Sequence, residues 1–544
     1  MSWKLSNAIA VAVSSFVLAT SGAAQGVGPQ AASLTRLFDT ADRCIACHSG
    51  LTAPSGADVS IGFNWRSSMM ANSARDPYWQ AAVRREVLDH PQAQAAIEDK
   101  CSTCHMPMAR FTAAAAGGEG AVFVHLGPAA GDPTTALAQD GASCTTCHQI
   151  RSDNFGQPES FTGGFIIDVA RRPGERKIYG PFEVDSGRVT IMRSAANFIP
   201  RQSSHIQKAE LCGTCHTLYT HAFDDAGQVV GELPEQMPYL EWAHSEYRDS
   251  RSCQDCHMPQ VADSLAISSV LGQPRPYLSR HIFRGGNFFM LGLLNKYRAT
   301  QGVASLPVEL DAGVARTIDH LRNSTARLRL DSLTVSGSQL QVDVVIENLA
   351  GHKLPSAYPS RRAWLHVIVQ DAAGAVVFES GALRPDGSIA GNDNDADPAH
   401  YEPHYTRIER SDQVQIYEPI MVDAEGRVTT GLLFGTRYIK DNRLLPRGFD
   451  KATADHDIAV QGRAAQDADF GAGGDRVRYR VELGGVEGPI TVIAELWHQP
   501  VGYRWAHNLE AQPAMETQRF VGYYEATAAS SAARIARDSA RAPM

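Results

Sequence analysis

The chain reads Cys44-Ile-Ala-Cys47-His48, Cys101-Ser-Thr-Cys104-His105, Cys144-Thr-Thr-Cys147-His148, Cys212-Gly-Thr-Cys215-His216 and Cys253-Gln-Asp-Cys256-His257 between positions 44 and 257. C-x-x-C-H is the attachment pattern of c-type haem. The two thiols bond to the porphyrin's vinyl groups and the adjoining histidine ligates the iron. All 10 cysteines of the chain fall inside these five motifs. A zinc site or a thioredoxin-like pair needs no histidine at the same offset every time. A disulfide framework does not need it either, and a chain of 544 residues can bury a core without covalent staples. The tally predicts five covalent haems, with His48, His105, His148, His216 and His257 as the proximal iron ligands.

Composition is that of a globular protein, 43% hydrophobic and 20% charged, with a net charge of −9. The basic residues are scattered, which argues against a nucleic-acid partner. Lys4, the apolar run Ala8 to Thr20 and the small residues Gly22-Ala23-Ala24 predict a signal peptide over 1–24. Its removal would deliver the protein to the periplasm or the exterior. No later apolar run approaches eighteen residues, so no transmembrane segment is expected in the mature chain.

Periodicity divides the chain. Residues 25–323 carry the motifs in helical and irregular sequence. Trp65 to Asp99 has helical spacing with a break at Asp76-Pro77, and a helix is expected from Leu306 to Leu321 with Pro307 in its first turn. Trp65-x-x-Ser68 before Cys101-x-x-Cys-His-Met106-Pro107 is echoed by Trp242-x-x-Ser245 before Cys253-x-x-Cys-His-Met258-Pro259. Beyond Asn323 the period becomes two: Leu340, Val342, Val344, Ile346; Ala363, Leu365, Val367, Val369; Val477, Tyr479, Val481; Ile490, Val492, Ala494, Leu496. The reading is an α + β multidomain chain, a helical and irregular pentahaem domain followed by an all-β sandwich over 324–526. The sandwich should fold without haem, since its alternation can bury its own core. The Ala/Ser/Arg-rich tail, 527–544, is expected to be disordered or a frayed helix.

Filling the second axial position makes an electron-transfer centre; leaving it open makes a substrate site. Seven candidates stand outside the motifs for five irons: His90, His125, His205, His221, His244, His281 and Met70. His90, His205 and His244 shortly precede a motif, and His281 comes after the last one. With Met70, these four histidines are the expected distal ligands. His352, in Gly351-His352-Lys353-Leu-Pro355, is read as part of a tight turn in preference to a haem ligand. Asp393, Asp395 and Asp397, with Glu402 beyond, alternate as calcium loops do, but lack their glycine. A solvated acidic loop competes there with a Ca2+ site.

The five motifs, the paired Cys-His-Met-Pro, Trp65-Arg-Ser-Ser-Met-Met70 and Glu235-Gln-Met-Pro-Tyr239-Leu-Glu241-Trp242 resemble the secreted bacterial multihaem cytochromes c of the cytochrome-c-554-like group. The second half resembles a β domain fused to some of them, through Gly351-His352-Lys-Leu-Pro355, Tyr417-Glu-Pro and Lys440-Asp-Asn-Arg443-Leu-Leu-Pro446. In that group Trp-x-x-Ser leads to a distal histidine; Met70 stands there in this chain. The resemblance implies electron transfer in the cell envelope, with redox proteins there as partners. A further reading, compatible with that one, is an assembly subunit whose β domain docks a partner or a neighbouring copy. The competing reading is an oxidoreductase acting on a small nitrogen or sulfur compound at one five-coordinate haem. Distal candidates outnumber the irons, which favours a carrier over an enzyme.

Overall fold

The computed structural model describes residues 37–129, 131–224 and 226–543, so the signal segment expected over 1–24 lies outside the described residues. The motif-bearing half is built from short helices joined by irregular chain. Four helices connect the motifs to the rest of the molecule: α1 Pro77–Asp89, α2 Pro238–Ala243, α3 Pro307–Ser324 and α4 Met515–Glu525. The Asp76-Pro77 break is the start of α1. Asp76 Oδ1 accepts the N–H groups of Tyr78 (2.8 Å) and Trp79 (3.2 Å), and Pro77 supplies a preset φ at the first helical position.

The second half is a sandwich. Its strands, labelled within the two large sheets, are β1 Ala326–Ser336, β2 Gln339–Asn348, β3 Arg362–Gln370, β4 Val376–Ser380, β5 Arg407–Ile408, β6 Ile416–Tyr417, β7 Gly474–Glu482, β8 Ile490–Gln499 and β9 Ala533–Ala542. One sheet has the order β5-β7-β2-β1, the other β4-β3-β8-β9 with β6 beside β3. Antiparallel register sets Val344 opposite Val477 in the first sheet and Leu365 opposite Leu496 in the second. Every residue of the four alternating runs is buried, and the two inner faces meet, with the rings of Phe378 (β4) and Tyr479 (β7) 6.3 Å apart.

Two expectations are corrected. Residues 533–542 form an edge strand antiparallel to β8, from Ile490 opposite Ala542 to His498 opposite Ala533. Ile535 is buried while Arg534, Arg537 and Arg541 face solvent, so the tail is neither disordered nor helical. Charged residues along an edge strand also discourage further pairing. Nor does the core stop at residue 323. Tyr78, Phe288, Phe289, Met290 and Leu321 belong to the same apolar cluster as Leu340 and Val367. Helix α4 lies against α1, where Arg84 forks onto Glu516 (2.9 and 3.1 Å) and the Tyr78 ring sits 5.1 Å from Phe520.

The seam between the halves also carries buried charge. Glu241 on α2 accepts the Lys353 N–H (3.1 Å) and the Ser356 hydroxyl (2.5 Å) and pairs with Arg443 (3.0 Å). Asp441 pairs with Lys353 (2.6 Å) and Arg443 (2.8 Å). Burial would raise the Asp441 carboxyl, but Arg443 and Lys353 hold it below the ordinary carboxylate range. Two anions and two cations cancel, which is the condition for keeping charge out of water. The three sequence phrases around Glu241, Lys353 and Arg443 thus meet in one network.

Candidate haem-binding cavity

Each motif occupies or adjoins a helical turn: Asp42–Ile45, Gln94–His105, Cys144–Cys147, Ala209–Gly213 and Cys253–His257. Positions i, i+3 and i+4 share a helix face, so the two thiols and the imidazole of a motif point the same way. The last of these turns is fixed by a capping box, with the Ser252 N–H donating to Asp255 Oδ2 (2.8 Å) and the Asp255 N–H to Ser252 Oγ (3.4 Å).

Four of the motif histidines are oriented in one manner. Nδ1–H donates to a backbone carbonyl: His48 to Ile267 (2.6 Å), His105 to Ser73 (2.9 Å), His148 to Tyr179 (2.5 Å) and His257 to Arg284 (2.5 Å). That bond fixes the tautomer and leaves the Nε2 lone pair for a metal. Burial pushes the imidazoles of His105, His216 and His257 down to about 4, and lowers His48 and His148 as well. Neutral imidazole is the ligating form. The His105 ring also lies flat on Trp79, 4.3 Å away and within 3° of parallel.

The motifs come together although they are spread from position 44 to position 257. The Cys44 and Cys144 thiols lie near enough to shift each other's ionisation, as do Cys104 with Cys215 and Cys212 with Cys253, and Cys215 acts on Cys147. These neighbours link all five motifs in one branched group. They enclose a cavity of about 1160 Å3 lined by all five motif histidines and every motif cysteine except Cys47. Its wall is largely apolar, as an embedded porphyrin face requires. Buried ionisable groups border it: burial pushes Asp76 up to about 6 and Glu86 up to about 7, and Arg361 down to about 10. Glu86 accepts the N–H groups of Leu432 (2.8 Å) and Leu433 (3.1 Å), tying α1 to the β half at the cavity wall. The residues present therefore fit covalently held haem: paired thiols on one face, neutral imidazoles with Nε2 available, and a shared apolar enclosure.

The distal candidates divide sharply. His281 and Met70 line the cavity. The His281 ring is 6.2 Å from that of His148 and 18° from parallel, and its Nδ1–H donates to Ser279 O (2.9 Å). The expectation of distal ligation does not fit His205, whose ring nitrogens are taken by Ser203 Oγ (2.6 Å) and Ile150 O (2.8 Å). Nor does it fit His244, whose Nε2–H donates to Asp450 O (3.0 Å) across the seam while Phe449 presents its edge to the ring. His90 caps α1 and is buried against Phe434 and Phe223, outside the cavity lining. His125 bonds Thr135 Oγ1 (2.9 Å), also outside it. His221 lines the cavity but is half exposed beside Glu232.

Three histidines reach the cavity from positions that sequence reasoning set aside or missed. His352, expected to be a turn residue, lines it with its ring 6.2 Å from His257 and 8° from parallel. His320 on α3 comes within 6.1 Å of the same ring at 68°. His498 lines it from the end of β8. His498 had a sequence signal: it continues the inward register Ile490, Val492, Ala494, Leu496. His320 had none, lying on an ordinary amphipathic helix. The Ca2+ reading is corrected as well. Asp395 is occupied by a buried fork from Arg362 (2.7 and 2.9 Å), and Asp397 caps Ala399 and contacts His400, so the three carboxylates do not converge.

No protein-family model matches the sequence, and no curated protein matches it. Among solved structures, that of a penta-haem cytochrome c552 from Thermochromatium tepidum matches with a TM-score of 0.50 at 15% identity. The chain has the fold of that cytochrome. The match covers 93% of this chain and 99% of that one, so it takes in both halves, helical and β. No helix among the described residues is long and apolar enough to cross a membrane.

Proposed function

We propose that this protein is a multihaem cytochrome of the cytochrome-c-554-like kind that carries electrons outside the cytoplasm through five covalently attached c-type haems, all of them six-coordinate. The observation that carries the reading is the shared enclosure: one cavity is lined by all five motif histidines and by every motif cysteine except Cys47. Attachment points that line one cavity hold their cofactors within short reach of one another. A bound haem supplies a one-electron iron couple whose potential is set by its axial ligands and surroundings. The chain's residues do the rest. The carbonyls of Ile267, Ser73, Tyr179 and Arg284 aim the proximal imidazoles. His281, its ring 6.2 Å from that of His148, would supply a second nitrogen ligand to a haem held there, and the apolar wall excludes water. Donors and acceptors would be redox proteins of the envelope. Mass spectrometry of the exported protein is expected to give a chain beginning at Gln25 plus five haem additions. Fewer than five additions overturns the reading.

A further inference from the structure

On the loop after β2, the fold gives Lys353 a place in the seam network but leaves the role of its neighbour His352 unassigned. We infer that His352 is the second axial ligand of the iron whose first ligand is His257. The inference rests on the five-haem reading of the proposed function and extends it to a residue of the β half. Its basis is the likeness between two histidine pairs. His148 and His281 lie 6.2 Å apart with rings 18° from parallel; His257 and His352 lie 6.2 Å apart with rings 8° from parallel. A metal–imidazole bond of about 2 Å on each side places two trans ring centres about 6 Å apart. In both pairs Nδ1–H of each ring donates to a backbone carbonyl: Tyr179 and Ser279 in the first, Arg284 and Lys353 in the second. Nε2 is then the free ligand nitrogen on all four rings.

The loop is built to hold His352 where it is. The Asn348 amide donates to His352 O (3.0 Å) and Leu444 O (2.9 Å). The Lys353 N–H donates to Glu241 on α2, and the Lys353 ammonium is locked on Asp441. Such anchoring exceeds what a surface turn needs and is what a fixed metal ligand needs. His320 is the competitor at 6.1 Å, but its buried Nδ1 has no hydrogen-bond partner among the described residues. Nothing fixes its tautomer for ligation. The β half is therefore part of the haem site, because it closes one iron's coordination from across the seam.

The test uses full-length, exported, haem-loaded protein. His352→Gly is expected to keep five haem additions by mass and to gain a high-spin electron paramagnetic resonance signal equal to one haem. Millimolar imidazole should return that signal to low-spin, which a merely structural role would not allow. His320→Ala should keep the wild-type spectrum. His352→Met keeps a ligand and should move one midpoint potential upward in a redox titration. A His352→Gly protein whose spectrum does not change, an unchanged titration for His352→Met, or the high-spin signal arising in His320→Ala instead would overturn the assignment. Failure of the underlying reading looks different: it shows in wild type, as fewer than five haem additions, before any substitution is made.

Discussion

A chain stopped after residue 526 is expected not to reach a stable fold. The lost segment holds β9, which pairs along β8 from Ile490 to His498 and buries Ile535 in the common core. It also carries Asp538, which accepts the Leu330 N–H (2.8 Å), and Arg534, which pairs with Glu495 (2.7 Å). Without it the edge of β8 stands open, and each backbone bond lost is worth about 0.5–1.5 kcal/mol. The sum is about 5 kcal/mol or more, comparable with the whole stability of a domain. Residues 324–526 expressed alone lack this strand and also the apolar cover of Tyr78, Phe288, Phe289 and Leu321. Circular dichroism and denaturant titration check both statements. The smaller change Ile535→Ala, which leaves the strand in place, should cost about 2–4 kcal/mol. A truncated chain with native cooperativity would show β9 to be dispensable.

Glu241→Ala is expected to be the most damaging single substitution at the seam. The wild-type cluster of Glu241, Asp441, Lys353 and Arg443 is neutral and buried. Removing one carboxylate leaves a net positive charge out of water, an unpaired Lys353 N–H and an unpaired Ser356 hydroxyl. Breaking a buried pair from one side costs about 3–5 kcal/mol. Glu241→Gln keeps an acceptor in place and should cost less. The midpoint of denaturant unfolding of the haem-loaded protein reads both. Equal, small losses for the two variants would mean that shape, not charge, holds the seam.

Much of the fold was legible because burial on two faces leaves period-two traces. Ile490, Val492, Ala494 and Leu496 could be placed on one face of a strand from sequence alone. Strand β9 was not legible, because its inward positions are mostly alanine and its outward ones arginine, a pattern with little hydrophobic contrast. The motif residues stood out in the sequence, since one covalent chemistry demands all three at fixed offsets. The distal positions were not. Nearness in sequence is no measure of nearness in space: His205, seven residues before Cys212, spends both ring nitrogens on its own neighbourhood. His352, far along the chain, reaches His257 because an ionic network folds the β half over the cavity. The acidic alternation at Asp393–Asp397 misled for a similar reason: Asp395 looks like a cation ligand but already has its cation in Arg362.

Five linked haems acting as a carrier require that no iron keep an open position. Electron paramagnetic resonance of the oxidised, exported protein, before and after addition of nitrite, hydroxylamine or carbon monoxide, reads this most directly. The expected result is low-spin signal from all five irons and no stoichiometric binding of any of these ligands. A high-spin signal worth one haem in the wild-type protein, with one equivalent of ligand bound, would contradict the carrier function and mark a catalytic haem instead.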